Sequence, residues 1–294
     1  MRCRLARIVL FVTSCLWVSK PVAYAQSNGP IPSCPNSATS DEQKPSGTEI
    51  SIAEVSFLGS LQMRISEQQQ IADSVKRKTH GTSLEGVTEE ALERARAGWQ
   101  DLGYFKVQVT AETKPLTSSP VNQRIAMSVH VDEGQRYNLK GIRFKNNKAI
   151  SRVDILRGLF PIADGEIFSR EKIATGLENL RKAYGELGYI NFTSVPDTRF
   201  DDENRLISLV IDVDEGKQFR IGSVNVQGVD ESLREDLLKT FGVGQIYSSS
   251  LWEASLLKYA GMFCDCPNRE QLRSDAKSGI VMLTLDFRPC AAQE

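Results

Sequence analysis

Few side chains in this sequence could do chemistry, and they fall into three sets. His80 and His130 are the only imidazoles in 294 residues. Acidic runs stand at Asp132-Glu133 and from Asp212 to Glu215, the residue type from which paired-carboxylate acid and base chemistry is built. Cys34, Cys264, Cys266 and Cys290 remain once the first 25 residues are set aside. Each set reads as structural. His80 stands in a Gly-flanked turn and His130 on the polar phase of a strand pattern, while the acidic runs close such strands, where carboxylates face water. Cys264 and Cys266 have one residue between them, whereas zinc-binding pairs usually have two or more, and no His is near. No phosphate-cradling Gly loop, nucleophile elbow or metal-binding helix occurs. The expectation is a protein that is not an enzyme and has no metal and no cofactor.

Charge and the N-terminus narrow the class further. The chain has 36 Lys and Arg against 37 Asp and Glu, and 40% apolar residues, an ordinary globular profile that suits neither nucleic acid nor an anionic membrane surface. Arg2, Arg4 and Arg7 precede an apolar run from Ile8 to Val18, and Ala23-Tyr24-Ala25 precedes Gln26: a positive segment, a greasy core and a small-x-small cleavage site, which together make a secretory signal over residues 1–25. The run is too short to span a bilayer as a helix, which takes about 20 residues. A retained anchor, or a lipidated Cys15, are the alternatives. Removing residues 1–25 leaves 32 basic against 37 acidic residues. Residues 26–48 carry Pro30, Pro32, Pro35 and Pro45 among polar residues, with little apolar surface to offset the entropy of ordering, and read as a disordered linker. Four cysteines in an oxidising compartment read as disulfides.

The remainder repeats itself. Leu102-Gly103-Tyr104 recurs as Leu187-Gly188-Tyr189, and Asp132-Glu133-Gly134 as Asp214-Glu215-Gly216. Gly165-Glu166-Ile167-Phe168-Ser169 is echoed by Gly244-Gln245-Ile246-Tyr247-Ser248. Two motifs recurring at one period define modules over 49–136 and 137–218, with a divergent third over 219–294. Within each, alternating apolar residues (Ile142 and Phe144 in the second) mark a first strand. Capping-box spacings at Ser66 with Gln69 and at Ser232 with Glu235 mark a short helix. A longer helix starts at Ser169, and Ile173, Leu177, Leu180, Tyr184 and Leu187 form its apolar stripe; Leu92, Ala95, Trp99 and Leu102 draw the same stripe earlier. Trp99, Tyr184 and Tyr259 therefore read as core. Gly103 and Gly188 stop these helices. Two further strand patterns follow, such as Phe105-Val107-Val109 and then Ile125 to Val131. The fold class is α+β: three tandem βααββ modules, each a three-stranded sheet covered by two helices. After Gly134 or Gly216 the next strand starts within about three residues, at Tyr137 or Phe219, so Glu133, Gly134, Tyr137, Glu215, Gly216 and Phe219 form stiff module junctions with no slack. In the third module a closing hairpin would bring Cys264 or Cys266 beside Cys290; the remaining cysteine pairs with Cys34, with another chain or with nothing.

A βααββ unit of about 80 residues that ends in strand-Glu-Gly-x-x-aromatic, with Gly-Tyr after its second helix, resembles the POTRA (polypeptide-transport-associated) domain of outer-membrane β-barrel assembly insertases. Module three departs from the pattern, ending in Pro289-Cys290 where the others have Glu-Gly. No succession of barrel strands is recognisable after the repeats, so the resemblance implies POTRA modules without the barrel. It implies a periplasmic location at the outer membrane, reached through a partner. It also implies that the second strand of each module lies at a sheet edge and adds an extended client as a further strand. The matching residues are Phe105, Lys106, Val107, Gln108 and Val109, and Ile190, Asn191, Phe192 and Thr193. Partners would be unfolded or extended polypeptides and outer-membrane β-barrel proteins, in a role in outer-membrane protein assembly or transport. The alternative is a passive envelope scaffold like the POTRA modules of cell-division proteins, with the same strands as ordinary edges blunted by Lys106 or Pro196.

Overall fold

The computed structural model describes residues 49–118, 122–263 and 269–288. Residues 1–48, the linker and the signal included, and Cys34, Cys264, Cys266 and Cys290 lie outside the described residues.

The first module runs β1 (Glu49–Leu58), α1 (Ile65–Lys78), β2 (His80–Gly81), α2 (Leu84–Asp101), β3 (Gln108–Ser118) and β4 (Asn122–Asp132). The second runs β5 (Asn138–Lys145), α3 (Val153–Gly158), α4 (Arg170–Glu186), β6 (Thr193–Asp201) and β7 (Leu206–Asp214). The third runs β8 (Arg220–Gln227), α5 (Glu231–Thr240), α6 (Ser249–Tyr259), β9 (Glu270–Asp275) and β10 (Ile280–Asp286). Each builds its own sheet, in the orders β2-β1-β4-β3, β5-β7-β6 and β8-β10-β9. In all three the last strand is central, pairing parallel with the first and antiparallel with the second. The helix pair makes the crossover that a parallel pairing requires.

The first sheet has four strands where three were expected, because His80 and Gly81 pair with Ser51 and Ile50. The same place is filled in the other modules by the Gly-x-Ile-aromatic-Ser turn. There Leu139 donates to the Glu166 carbonyl and accepts from the Gly165 amide, and Ile221 does so with Gln245 and Gly244. The start of every first strand's outer edge is thus already covered.

Alternation and helical periodicity place the core. Ile125, Met127, Val129 and Val131 all point to the helix side of β4 and are buried, as are Ile207, Leu209, Ile211 and Val213 on β7. Opposite them, α2 buries Val87, Ala91, Ala95 and Trp99, and α4 buries Ile173, Leu180 and Tyr184. Leu187, expected in the stripe, is 38% exposed because it is already the C-cap of α4. Ser83, Ser169 and Ser248 cap their helices, each accepting an amide three residues on. The capping boxes expected at Ser66 and Ser232 do not form. Arg64 with Glu67 closes α1, and the Asp230 carboxylate closes α5, each starting the helix earlier than the serine spacing suggested.

Gly176 decides how closely the turn after α3 approaches α4. A Cβ there would sit 2.0 Å from Phe160 Cδ1. Alanine would gain about 1 kcal/mol of helix propensity but overpack a buried contact at about 1–3 kcal/mol. Gly176→Ala is therefore expected to lower the urea midpoint of unfolding. An unchanged or higher midpoint would mean that the α3 loop yields freely.

Candidate functional site

In the acidic runs Asp132, Asp212 and Asp214 are exposed, as expected of solvated turns, but the glutamates are engaged in structure. Glu133 is 4% exposed and accepts from the amides of Gln62 (2.6 Å) and Met63 (3.2 Å) and from Trp99 Nε1 (3.0 Å). Glu215 likewise accepts from the Ala149 amide (2.7 Å) and the Tyr184 hydroxyl (3.0 Å). Each glutamate ties the loop after its first strand to the aromatic at the core of the long helix. Burial, aided by Glu215, pushes the Tyr184 hydroxyl well above its ordinary value. Asp132 and Asp214 turn the chain by accepting the amides of Gly134 and Gly216. These carboxylates are spent on backbone and ring donors. In module three Asp286 makes the same turn with the Arg288 amide, but the next residue is Phe287, fully buried and stacked on Phe263 with centroids 4.5 Å apart. An aromatic plug stands where the other modules have a carboxylate clamp.

The histidines sit at opposite ends of β1, His80 beside Ser51 and His130 beside Leu58. Among the described residues no cluster of His, Cys, Asp and Glu could hold a metal ion. No described helix is long and apolar enough to cross a membrane.

The junction residues meet as a repeated joint. The Tyr137 amide donates to the Gly103 carbonyl (2.8 Å), and the Phe219 amide to the Gly188 carbonyl (2.9 Å). Gly103 and Gly188 have φ of +94° and +83°, a region that L side chains rarely enter. A Cβ at Gly103 would also lie 2.7 Å from Ile167, and one at Gly188 2.8 Å from the Phe219 carbonyl. Two residues past the glycine, Phe105 leaves its own module and joins the second core, edge-on to Phe168 (5.1 Å) and tilted against Phe200 (5.5 Å). Ile190 packs against the third core in the same way.

Polar groups lock the first joint. Lys106 Nζ and the Tyr137 hydroxyl both reach Asp202 Oδ1 at 2.6 Å, and the Lys106 ammonium lies 4.5 Å from the Phe200 ring centroid. The bond from Lys106, then that from Tyr137, holds Asp202 below the ordinary carboxylate value. Across the helices, Asp101 at the end of α2 accepts the Glu171 amide at the start of α4 (2.5 Å), and Arg170 pairs with Glu93 (3.0 Å). One module's carboxylate thus caps the next module's helix. Glu186 takes the Ser248 hydroxyl at the second joint (2.7 Å). Burial lifts Asp101 to about 6, against the pull of the Glu171 amide and Arg170.

These contacts correct the expected client strand. Phe105, Lys106 and Val107 precede β3, and Ile190, Asn191 and Phe192 precede β6. Phe105 and Ile190 serve the neighbouring cores, and Lys106 the joint. Val107 and Phe192 are buried in their own cores, Phe192 stacked on Tyr184 (4.3 Å). Only Gln108, Val109 and Thr193 lie in strands. The edge strands are β3 and β6 themselves, each paired on one side alone among the described residues. Alternation across Phe105-Val107-Val109 disguised the joint as a strand start.

Residues 137–216 match the POTRA family, described as a surface antigen variable number repeat. The second module is a POTRA domain. The modules beside it share its strand order and joints, and the crystal structure of Haemophilus influenzae BamA POTRA3-5 superposes with a TM-score of 0.56 at 22% identity, over 82% of this chain and 96% of that one. The outer membrane protein assembly factor BamA of Neisseria meningitidis serogroup B is 24% identical over 51% of this chain and 18% of its own length. That of Buchnera aphidicola is 22% identical over 62% and 30%. The chain thus spans less than a third of the curated relatives it matches.

Two outcomes follow for the POTRA clamps and joints. Glu133→Ala strands three donors and is expected to cost about 3 kcal/mol, with Glu133→Gln intermediate because its single acceptor oxygen serves the Met63 and Trp99 donors but not Gln62 as well; equal midpoints for Glu133→Ala and wild type in urea would contradict the clamp. Asp101 is raised from 3.8 to about 6 in the folded chain, so its contribution to stability is complete below the ordinary value and is lost as pH rises through about 6. The urea midpoint of wild type relative to Asp101→Asn should therefore fall between about pH 4 and about pH 6.5; a rise over that range would reverse the assignment.

Proposed function

We propose that this chain is a periplasmic, non-enzymatic POTRA array that holds extended polypeptide by strand addition and assists outer-membrane protein assembly or transport beside a β-barrel partner. The observation that carries this reading is that modules held in fixed succession by glycine and aromatic joints each leave their second strand paired on one side only. Unpaired N–H and C=O groups along such a strand accept a further strand largely regardless of its sequence. A barrel precursor before insertion is rich in amphipathic strands of about ten residues, which fits that edge. The similarity to proteins named as outer membrane protein assembly factors supports the setting. Association with the membrane would then run through the partner.

The test is crosslinking of the exported chain, purified without residues 1–25, to urea-unfolded outer-membrane barrel precursors and to detergent-solubilised barrel proteins. Adducts with either class, competed by excess unfolded precursor, are the expected result. A spacer, which the joints alone could serve, would give adducts with neither.

A further inference from the structure

The two long edge strands are not equivalent, and proline makes the difference. Proline has no N–H, so within a sheet it is tolerated where that position faces away from the ladder. Pro196 sits opposite Ile211 in an unbroken β6–β7 register. Its nitrogen therefore faces the free edge, and by the two-residue alternation so do the backbone groups of Ser194, Thr198 and Phe200. The donor row of β6 is interrupted near its middle, and at its far end the Phe200 ring is engaged by Phe105 and Tyr137 across the joint. On β3 the corresponding residue is Pro115, opposite Ile125, with the register regular from Gln108 to Pro115 and shifting only beyond it. Here the outward groups belong to Val109, Ala111 and Thr113, and the proline comes after them. The edge of β3 is continuous for seven residues, Gln108 to Lys114, and then stops.

We propose that these prolines sort clients between modules: β3, over Gln108 to Lys114, is the edge that receives an added strand, and Pro196 closes β6. This rests on the strand-addition reading given above and names the slot. The slot also states its occupant. An added strand would set alternate side chains beside Val109, Ala111 and Thr113 on the helix side, where Val109 is buried and the other two half-buried, and the intervening ones beside Thr110, Glu112 and Lys114, which are exposed. A segment of about seven residues that alternates apolar and polar residues matches both faces. A Pro in its middle would not.

A photo-crosslinking residue placed at Glu112 or, separately, at Asp197 reads the two edges, with a biotinylated twelve-residue peptide of alternating Val and Thr as the probe. Capture at Glu112 is expected to exceed that at Asp197 about tenfold, the equivalent of one buried acceptor left without its donor. Pro196→Ala should raise capture at Asp197 toward the Glu112 level, while Ala111→Pro, whose nitrogen faces away from the β3–β4 ladder, should lower capture at Glu112 about tenfold, to the parent Asp197 level. Thr113→Pro provides the same test, and circular dichroism verifies that each variant is folded. Equal capture at both positions in the parent chain, or capture at Glu112 that is undiminished by Ala111→Pro and Thr113→Pro, overturns the sorting and leaves strand addition standing. Capture at neither position, by this peptide or by an unfolded barrel precursor, overturns both.

Discussion

Each joint depends on one apolar side chain being handed forward. Phe105 follows the chain of the first module but is buried in the core of the second, and burying a phenylalanine is worth about 1.5–3 kcal/mol. Separating the modules would expose that ring and break the bond between Tyr137 and Gly103. The glycine lets the chain turn sharply enough for the ring to arrive, and the close approach of Ile167 leaves no room for any other residue. The second joint repeats the arrangement with Gly188, Phe219 and Ile190. It does so with a smaller side chain and without a hydroxyl to match Tyr137. Adjacent modules thus complete one another, which is why their sheet edges hold a fixed relation.

The polar groups around the joints are committed to structure. A buried carboxylate is expensive unless donors surround it, and Glu133 meets that condition with two amides and an indole, while the half-buried Glu215 takes an amide and a phenol. The third module abandons the arrangement. Phe287 replaces the carboxylate, and Phe263, which follows its helix as Phe105 follows α2, folds back into its own core to stack on that ring. The residue handed forward twice is kept at home the third time. Arg288 and Arg269 then flank Asp286, and the bond from Arg288 first of all holds that carboxyl down to about 2.

Edges left open by this construction carry the functional reading. A strand paired on one side invites a second chain, and natural sheets restrict that invitation with proline and charge. The positions of Pro115 and Pro196 turn two topologically identical edges into chemically different ones. An array of repeats need not be an array of equal binding sites.

The sequence by itself determined the repeat, the order of the main elements, the start of the long helix at Ser169 and the helix-stopping glycines Gly103 and Gly188. Those signals are local: alternation of two, periodicity near four, and a positive φ at one residue each act within a few positions, so they can be read one window at a time. Tertiary structure alone decided that Phe105 and Ile190 belong to neighbouring cores, that Glu133 is buried and that Lys106 is a joint residue. Those assignments join positions far apart in the chain, 71 residues between Gln62 and Glu133 and 96 between Lys106 and Asp202. No local pattern distinguishes a carboxylate at a strand exit that meets water from one that meets an indole. Only the packed chain brings the indole there.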